Sequence, residues 1–140
     1  MKGLPNLIRL NRWRLDEKRK KLAELERLFA QLSEQERKLE DEMKREQQVA
    51  ARSDEALTAY GAYARGVIER REKLAHSKAE VDAQIDRARG EEQEAFRELK
   101  RFEVAYETRQ TAQRRLAARV EQAMLDDMGQ QIFRRRRVRS

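Results

Sequence analysis

Apolar side chains return every seven residues through the first part of the chain. Ile8, Leu15, Leu22, Phe29, Met43, Ala50 and Leu57 occupy one position of the repeat. Leu25, Leu32, Leu39 and Tyr60 occupy a second, three residues later. This spacing averages 3.5 residues and keeps one seam of a helix facing a partner, which is the pattern of a coiled coil. Asn11, Lys18, Glu36, Glu46 and Ser53 interrupt it. The seam is therefore expected to be strongest from Leu15 to Met43. Pro5 is the only proline and suits a helix start, where its missing N–H breaks no hydrogen bond.

A second seam follows. Val67, Leu74, Val81, Ala88, Ala95, Phe102, Leu116 and Ala123 hold one position, and Ile85, Leu99, Tyr106 and Val120 the other. Lys78, Glu92, Arg109 and Gln113 break the repeat. Between the seams lie Gly61 and Gly66. Each costs about 1 kcal/mol in a helix interior relative to alanine, so the pair marks the expected turn. A glycine just past the last apolar residue is a common helix stop, which points to Met128-Gly129. The pattern predicts an all-α fold, a long two-helix antiparallel coiled-coil hairpin. Its helices would cover about residues 5–59 and 67–128, with a turn at about 60–66. Residues 1–128 would form one domain, and residues 129–140 a flexible basic tail. Folding the chain at about residue 64 sets Phe29 opposite Leu99, Leu39 opposite Ala88 and Ile8 opposite Val120.

Composition supports helix and narrows function. Charged residues make up 42% of the chain, yet Ala, Glu, Lys, Leu, Arg and Gln dominate, and these are strong helix formers. The chain has no cysteine, which excludes a disulfide framework and thiolate ligands. His76 is the only histidine, so a transition-metal site has no second imidazole to draw on. No Gly-rich phosphate loop or GxSxG setting is present, and a two-helix rod offers no cleft for paired carboxylates. The expectation is a non-enzymatic protein with no cofactor. No apolar run approaches the ~18 residues of a membrane span, and the N-terminus lacks the apolar core of a secretory signal. A cytoplasmic protein without membrane insertion is expected.

The net charge of +7 is uneven. Residues 1–30 carry nine Lys/Arg and four Asp/Glu, a net of +5. Residues 109–140 carry nine Arg and three acids, a net of +6, which leaves −4 for residues 31–108. A hairpin would gather the two basic ends into one tip. Arg9, Arg12, Arg14, Arg115, Arg119, Arg134, Arg135, Arg136 and Arg137 would line that tip. Trp13 sits off the seam between two arginines, a combination typical of binding hot spots. An acidic protein partner fits such a tip. Nucleic acid fits less well, because no aromatic residues interleave the arginine run to stack on bases.

Three segments carry a family resemblance. They are the opening "LPNLIRLNRWRLDEKRKKLAELE", the central "YGAYARGVIERREKL" and the closing "EQAMLDDMGQQIFRRRR". In them the chain resembles the FliJ family of the flagellar type III export apparatus, and is similar to the YscO-type proteins of injectisomes. The family often carries Leu-Asp-Glu near the end of its late helix. Leu125-Asp126-Asp127 stands in that place here, with Asp for Glu. The resemblance implies a stalk similar to that of rotary ATPases. Its basic tip would meet a hexameric export ATPase. The turn side, with Tyr60, Tyr63, Arg65 and Arg70, would meet the membrane export gate. It also implies a role in handling substrate chaperones, and a place at the cytoplasmic face of the inner membrane, in flagellum biogenesis and motility. The competing reading is a basic coiled-coil adaptor for nucleic acid or acidic filaments.

Overall fold

The computed structural model describes Gly3–Arg139; Met1, Lys2 and Ser140 lie outside the described residues. The fold is a two-helix antiparallel hairpin, as the repeat predicts: α1 spans Gly3–Ala50 and α2 spans Asp54–Arg139. Pro5 lies in the first turn of α1, where it breaks no ladder bond.

The turn is not where the glycines suggested. It is the short connection Ala51-Arg52-Ser53. Its backbone closes α1 with bonds from Ala51 N–H to Gln47 C=O at 3.2 Å and from Arg52 N–H to Val49 C=O at 3.1 Å. Ser53 then caps α2, its Oγ accepting the N–H of Ala56 at 3.1 Å. Asp54 and Glu55 follow in the first turn, where negative charge suits the exposed N–H groups of a helix start. Gly61 and Gly66 lie inside α2, with no positive φ and open space where a Cβ would stand. The Ser53 cap and the acidic first turn mark a helix start, whereas a glycine penalty of about 1 kcal/mol is one that a long, packed helix absorbs.

The expected end of α2 is corrected for the same reason. Gly129 takes no left-handed cap conformation, and the helix runs on through the arginine run to Arg139. The tail expected at 129–140 is thus helical as far as it is described. The arginines sit near the C-terminal end of α2, where positive charge faces the unpaired carbonyls.

The chain divides into two compact units, Trp13–Phe96 and Met1–Arg12 with Arg97–Ser140. In Trp13–Phe96, Leu15, Leu39, Ala50, Val67, Val81, Ile85 and Ala88 form the buried seam. Its charged interruptions pair across the helices. Lys78 Nζ lies 3.5 Å from Glu36, and Lys18 Nζ 3.1 Å from Glu91. Arg19 meets Glu92 at 3.3 Å, and Arg71 meets Glu40 at 3.1 Å. These pairs fix a register different from that of a fold at residue 64. Phe29 receives Lys78, its ammonium 5.0 Å from the ring centroid, and is not set against Leu99.

In the other unit, Leu4, Ile8, Asn11 and Leu99 are buried. Asn11 interrupts the apolar seam, and its amide is satisfied within α1 by the Leu7 carbonyl at 2.7 Å. Pro5, Ile8, Arg9 and Arg12 gather with Glu103, Tyr106 and Glu107. Ile8 therefore lies by Tyr106 and not opposite Val120.

Candidate partner-binding surfaces

Because the turn comes early, α2 is far longer than α1. Residues 112–138 are all exposed. The segment 112–139 is about 42 Å of helix at a rise of about 1.5 Å per residue. Leu116, Val120, Met124, Met128 and Ile132 stand four residues apart on it, and all are open to solvent. Leu125 and Phe133 are exposed beside them, Phe133 at 64%. Its polar groups bond within their own helix: Gln122 to Asp126 at 3.0 Å and Gln131 to Asp127 at 3.5 Å. The Leu125-Asp126-Asp127 signature is thus turned to local bonds and an exposed leucine. An unpaired amphipathic helix of this length leaves apolar surface that a partner would cover.

The predicted basic tip is only partly assembled. Arg12 is drawn to Glu103 at 4.0 Å, and with Arg9 it borders the shallow groove closed by Tyr106 and Glu107. Arg115 lines a separate groove with Val104, Glu107 and Thr111. Arg119 and Arg134 to Arg137 stand exposed on this segment of α2. Arg134 is about 46 Å of helix beyond Glu103, so the run is not joined to Arg9 and Arg12. Trp13 and Arg14 belong to the other unit, where Trp13 is 61% exposed.

Tyr60, Tyr63, Arg65 and Arg70 lie along the early part of α2 in Trp13–Phe96 and not on the turn itself. The two tyrosine rings lie 6.0 Å apart between centroids at 42°. Burial pushes the Tyr63 hydroxyl above its ordinary range, and the Glu42 and Glu46 carboxylates push the same way while Arg70 opposes them. The hydroxyl oxygen is buried near Glu42 without completing a hydrogen bond of good geometry. Arg65 and Arg70 are exposed.

Sequence reasoning passed over a groove in the same unit. Leu32, Leu39 and Leu74 form its floor and Lys38, Arg70 and Lys73 its rim, with Gln35, Glu42 and Ser77 completing about 460 Å³. The leucines were legible as seam residues. Lys38 and Lys73 were not, because their alignment across two helices depends on the register.

Among the described residues no helix is long and apolar enough to cross a membrane, and no acidic or imidazole cluster could hold a metal ion. The surfaces available are grooves and an exposed helix face, suited to contacting other macromolecules. A protein-family model described as the flagellar FliJ protein matches residues 1–138. No curated protein and no solved structure gives a significant match. A match over almost the whole chain, on a two-helix hairpin, shows that the chain belongs to the FliJ family, whose members are components of flagellar protein export.

Proposed function

We propose that the chain is a non-catalytic central stalk of the hexameric export ATPase. The observation that carries this reading is the solvent-exposed segment 112–138 of α2. It presents Leu116, Val120, Met124, Met128 and Ile132 with Arg119 and the Arg134–Arg137 run. Helices in proteins draw most of their stability from tertiary packing, so a long solvent-exposed segment is suited to packing into a partner. Trp13, Arg9, Arg12, Arg14 and Arg115 supply further contacts to the ring. The tyrosine pair and Arg65 and Arg70 face the export gate, and substrate chaperones are handled by the same scaffold at the cytoplasmic face of the inner membrane. Coupling hydrolysis to the gate requires that these contacts differ in free energy between ring states.

The test is co-purification with the cognate export ATPase and an assay of its hydrolysis. Wild type should bind and stimulate. A Leu116→Ser, Met124→Ser, Met128→Ser variant and an Arg134–137→Ala variant should each lose most of both effects, and Trp13→Ala a smaller part. Should the ATPase ignore the wild type while DNA is retained with a steep salt dependence, the adaptor reading replaces the stalk.

A further inference from the structure

The groove between α1 and α2 in Trp13–Phe96 has an apolar floor and a cationic rim. Leu39 is buried in the seam, while Leu32 and Leu74 are half-buried and present their remaining surface to the groove. Ser77 is small and leaves the space that a longer side chain would fill. What marks this rim is that three cations, Lys38, Arg70 and Lys73, stand together beside the apolar floor. Around it, cations are engaged: Arg37 by Glu34 and Asp41, Arg71 by Glu40, Lys78 by Glu36. Among the described residues no salt bridge engages Lys38, Arg70 or Lys73. Lys38 helps to lower the Glu34 carboxyl, and Arg70 opposes the upward push on the Tyr63 hydroxyl. Glu42 is the one acid lining the groove, so three cations face one anion.

We infer that this groove is a docking site for an acidic amphipathic helix of another protein. Leucine-sized side chains on one face of that helix would enter between Leu32, Leu39 and Leu74. Carboxylates flanking them would pair with Lys38, Arg70 and Lys73. The occupant is set by charge complementarity: an apolar floor alone would accept many helices, but three unengaged cations select an acidic one. A second copy of this chain fits poorly, since its exposed apolar segment carries the arginine run. The inference does not rest on the stalk reading, and its test uses the full chain with no ATPase present.

The probe is a fluorescein-labelled synthetic peptide of about five helical turns, with leucine on one face and glutamate on the flanks. Its control carries lysine in place of each glutamate. Anisotropy titration should show the acidic peptide binding at least about tenfold more tightly than the basic one, with affinity falling as salt rises from about 50 to about 300 mM. The K38E/R70E/K73E variant should lose at least about tenfold for the acidic peptide and gain affinity for the basic one. K38Q/R70Q/K73Q keeps the test valid if charge reversal disturbs the helices, with circular dichroism as the check. R97E/R109E/R114E, which removes the same charge from the other unit, should leave acidic-peptide binding unchanged. The inference is overturned if neither peptide binds, if the two bind alike, or if R97E/R109E/R114E weakens binding as much as the rim variant. It is also overturned if sedimentation shows a dimer that Leu74→Glu abolishes, since a second copy would then fill the groove.

Discussion

Trp13–Phe96 and the unpaired end of α2 share a vocabulary of Leu, Val, Met, Arg and Glu, but they use it in opposite ways. In the first, a 3.5-residue repeat meets its counterpart on the other helix, and interrupting charges find partners there. In the second, apolar residues recur every fourth position and nothing within the described chain covers them. A seven-residue repeat winds with a partner helix. An i+4 ridge suits an oblique crossing. One region buries its apolar surface in the seam, and the other leaves it open to solvent.

The sharpest way to break this comparison is a charge placed in each region. Val67 has no exposed surface, and Val67→Asp should destabilise the hairpin by more than about 3 kcal/mol, read as a lowered thermal midpoint of helicity. Val120→Asp should stay within about 0.5 kcal/mol, because Val120 is exposed. Equal effects would mean that the end of α2 is packed in solution. The same contrast holds more mildly for truncation. Leu39→Ala should cost about 2 kcal/mol, the low end for a core leucine because a two-helix seam can close around the gap. Leu116→Ala should cost less than about 0.5 kcal/mol.

The turn offers a finer test. Ser53→Ala removes the Oγ that caps α2 and should cost about 1 kcal/mol. Gly61→Ala and Gly66→Ala should each stabilise by about 0.5–1 kcal/mol, because both lie in helix with open space at the Cβ position. A turn at the glycines would reverse both signs, so chemical denaturation of the three variants separates the two placements.

These sites also show what the sequence could carry. The two helices, their antiparallel seam and most buried residues were legible, because burial follows the repeat: Leu15, Leu39, Val67, Val81, Ile85 and Leu99 are all seam positions. The register was not. A heptad pattern is matched again after each slip of seven residues, so it cannot choose among turn placements by itself. The choice lay in Ser53-Asp54-Glu55, where Ser53 looked like a flaw in the seam, and in charged interruptions such as Glu36 and Lys78, which make sense only once paired. Misplacing the turn also hid the unpaired end of α2 and scattered the expected basic tip. The Tyr60–Tyr63 ring contact does not depend on the turn, because the two residues are one helical turn apart.

The smallest effect tests whether the register pairs form in solution. The Lys18 ammonium hydrogen-bonded to Glu91, with its charge and that of Lys21, holds the Glu91 carboxyl below its ordinary range. A carboxylate whose pKa is depressed on folding adds stability above its unfolded pKa, about 4.3, and that stability is lost as pH falls through the folded value. The gap in thermal midpoint between wild type and Lys18→Met should therefore be constant above about pH 5 and narrow below about pH 4. Glu34 is lowered too, chiefly by its hydrogen bond from Arg37, but both residues lie on α1. Arg37→Met should show the same pH window without weakening the contact between helices. A cysteine pair at positions 22 and 88, introduced into this cysteine-free chain, reads that contact directly. Its disulfide should form less readily in Lys18→Met than in Arg37→Met. If Lys18→Met shows no pH-dependent gap and no loss of cross-linking, the Lys18–Glu91 pair does not hold the register, and the apolar seam does so alone.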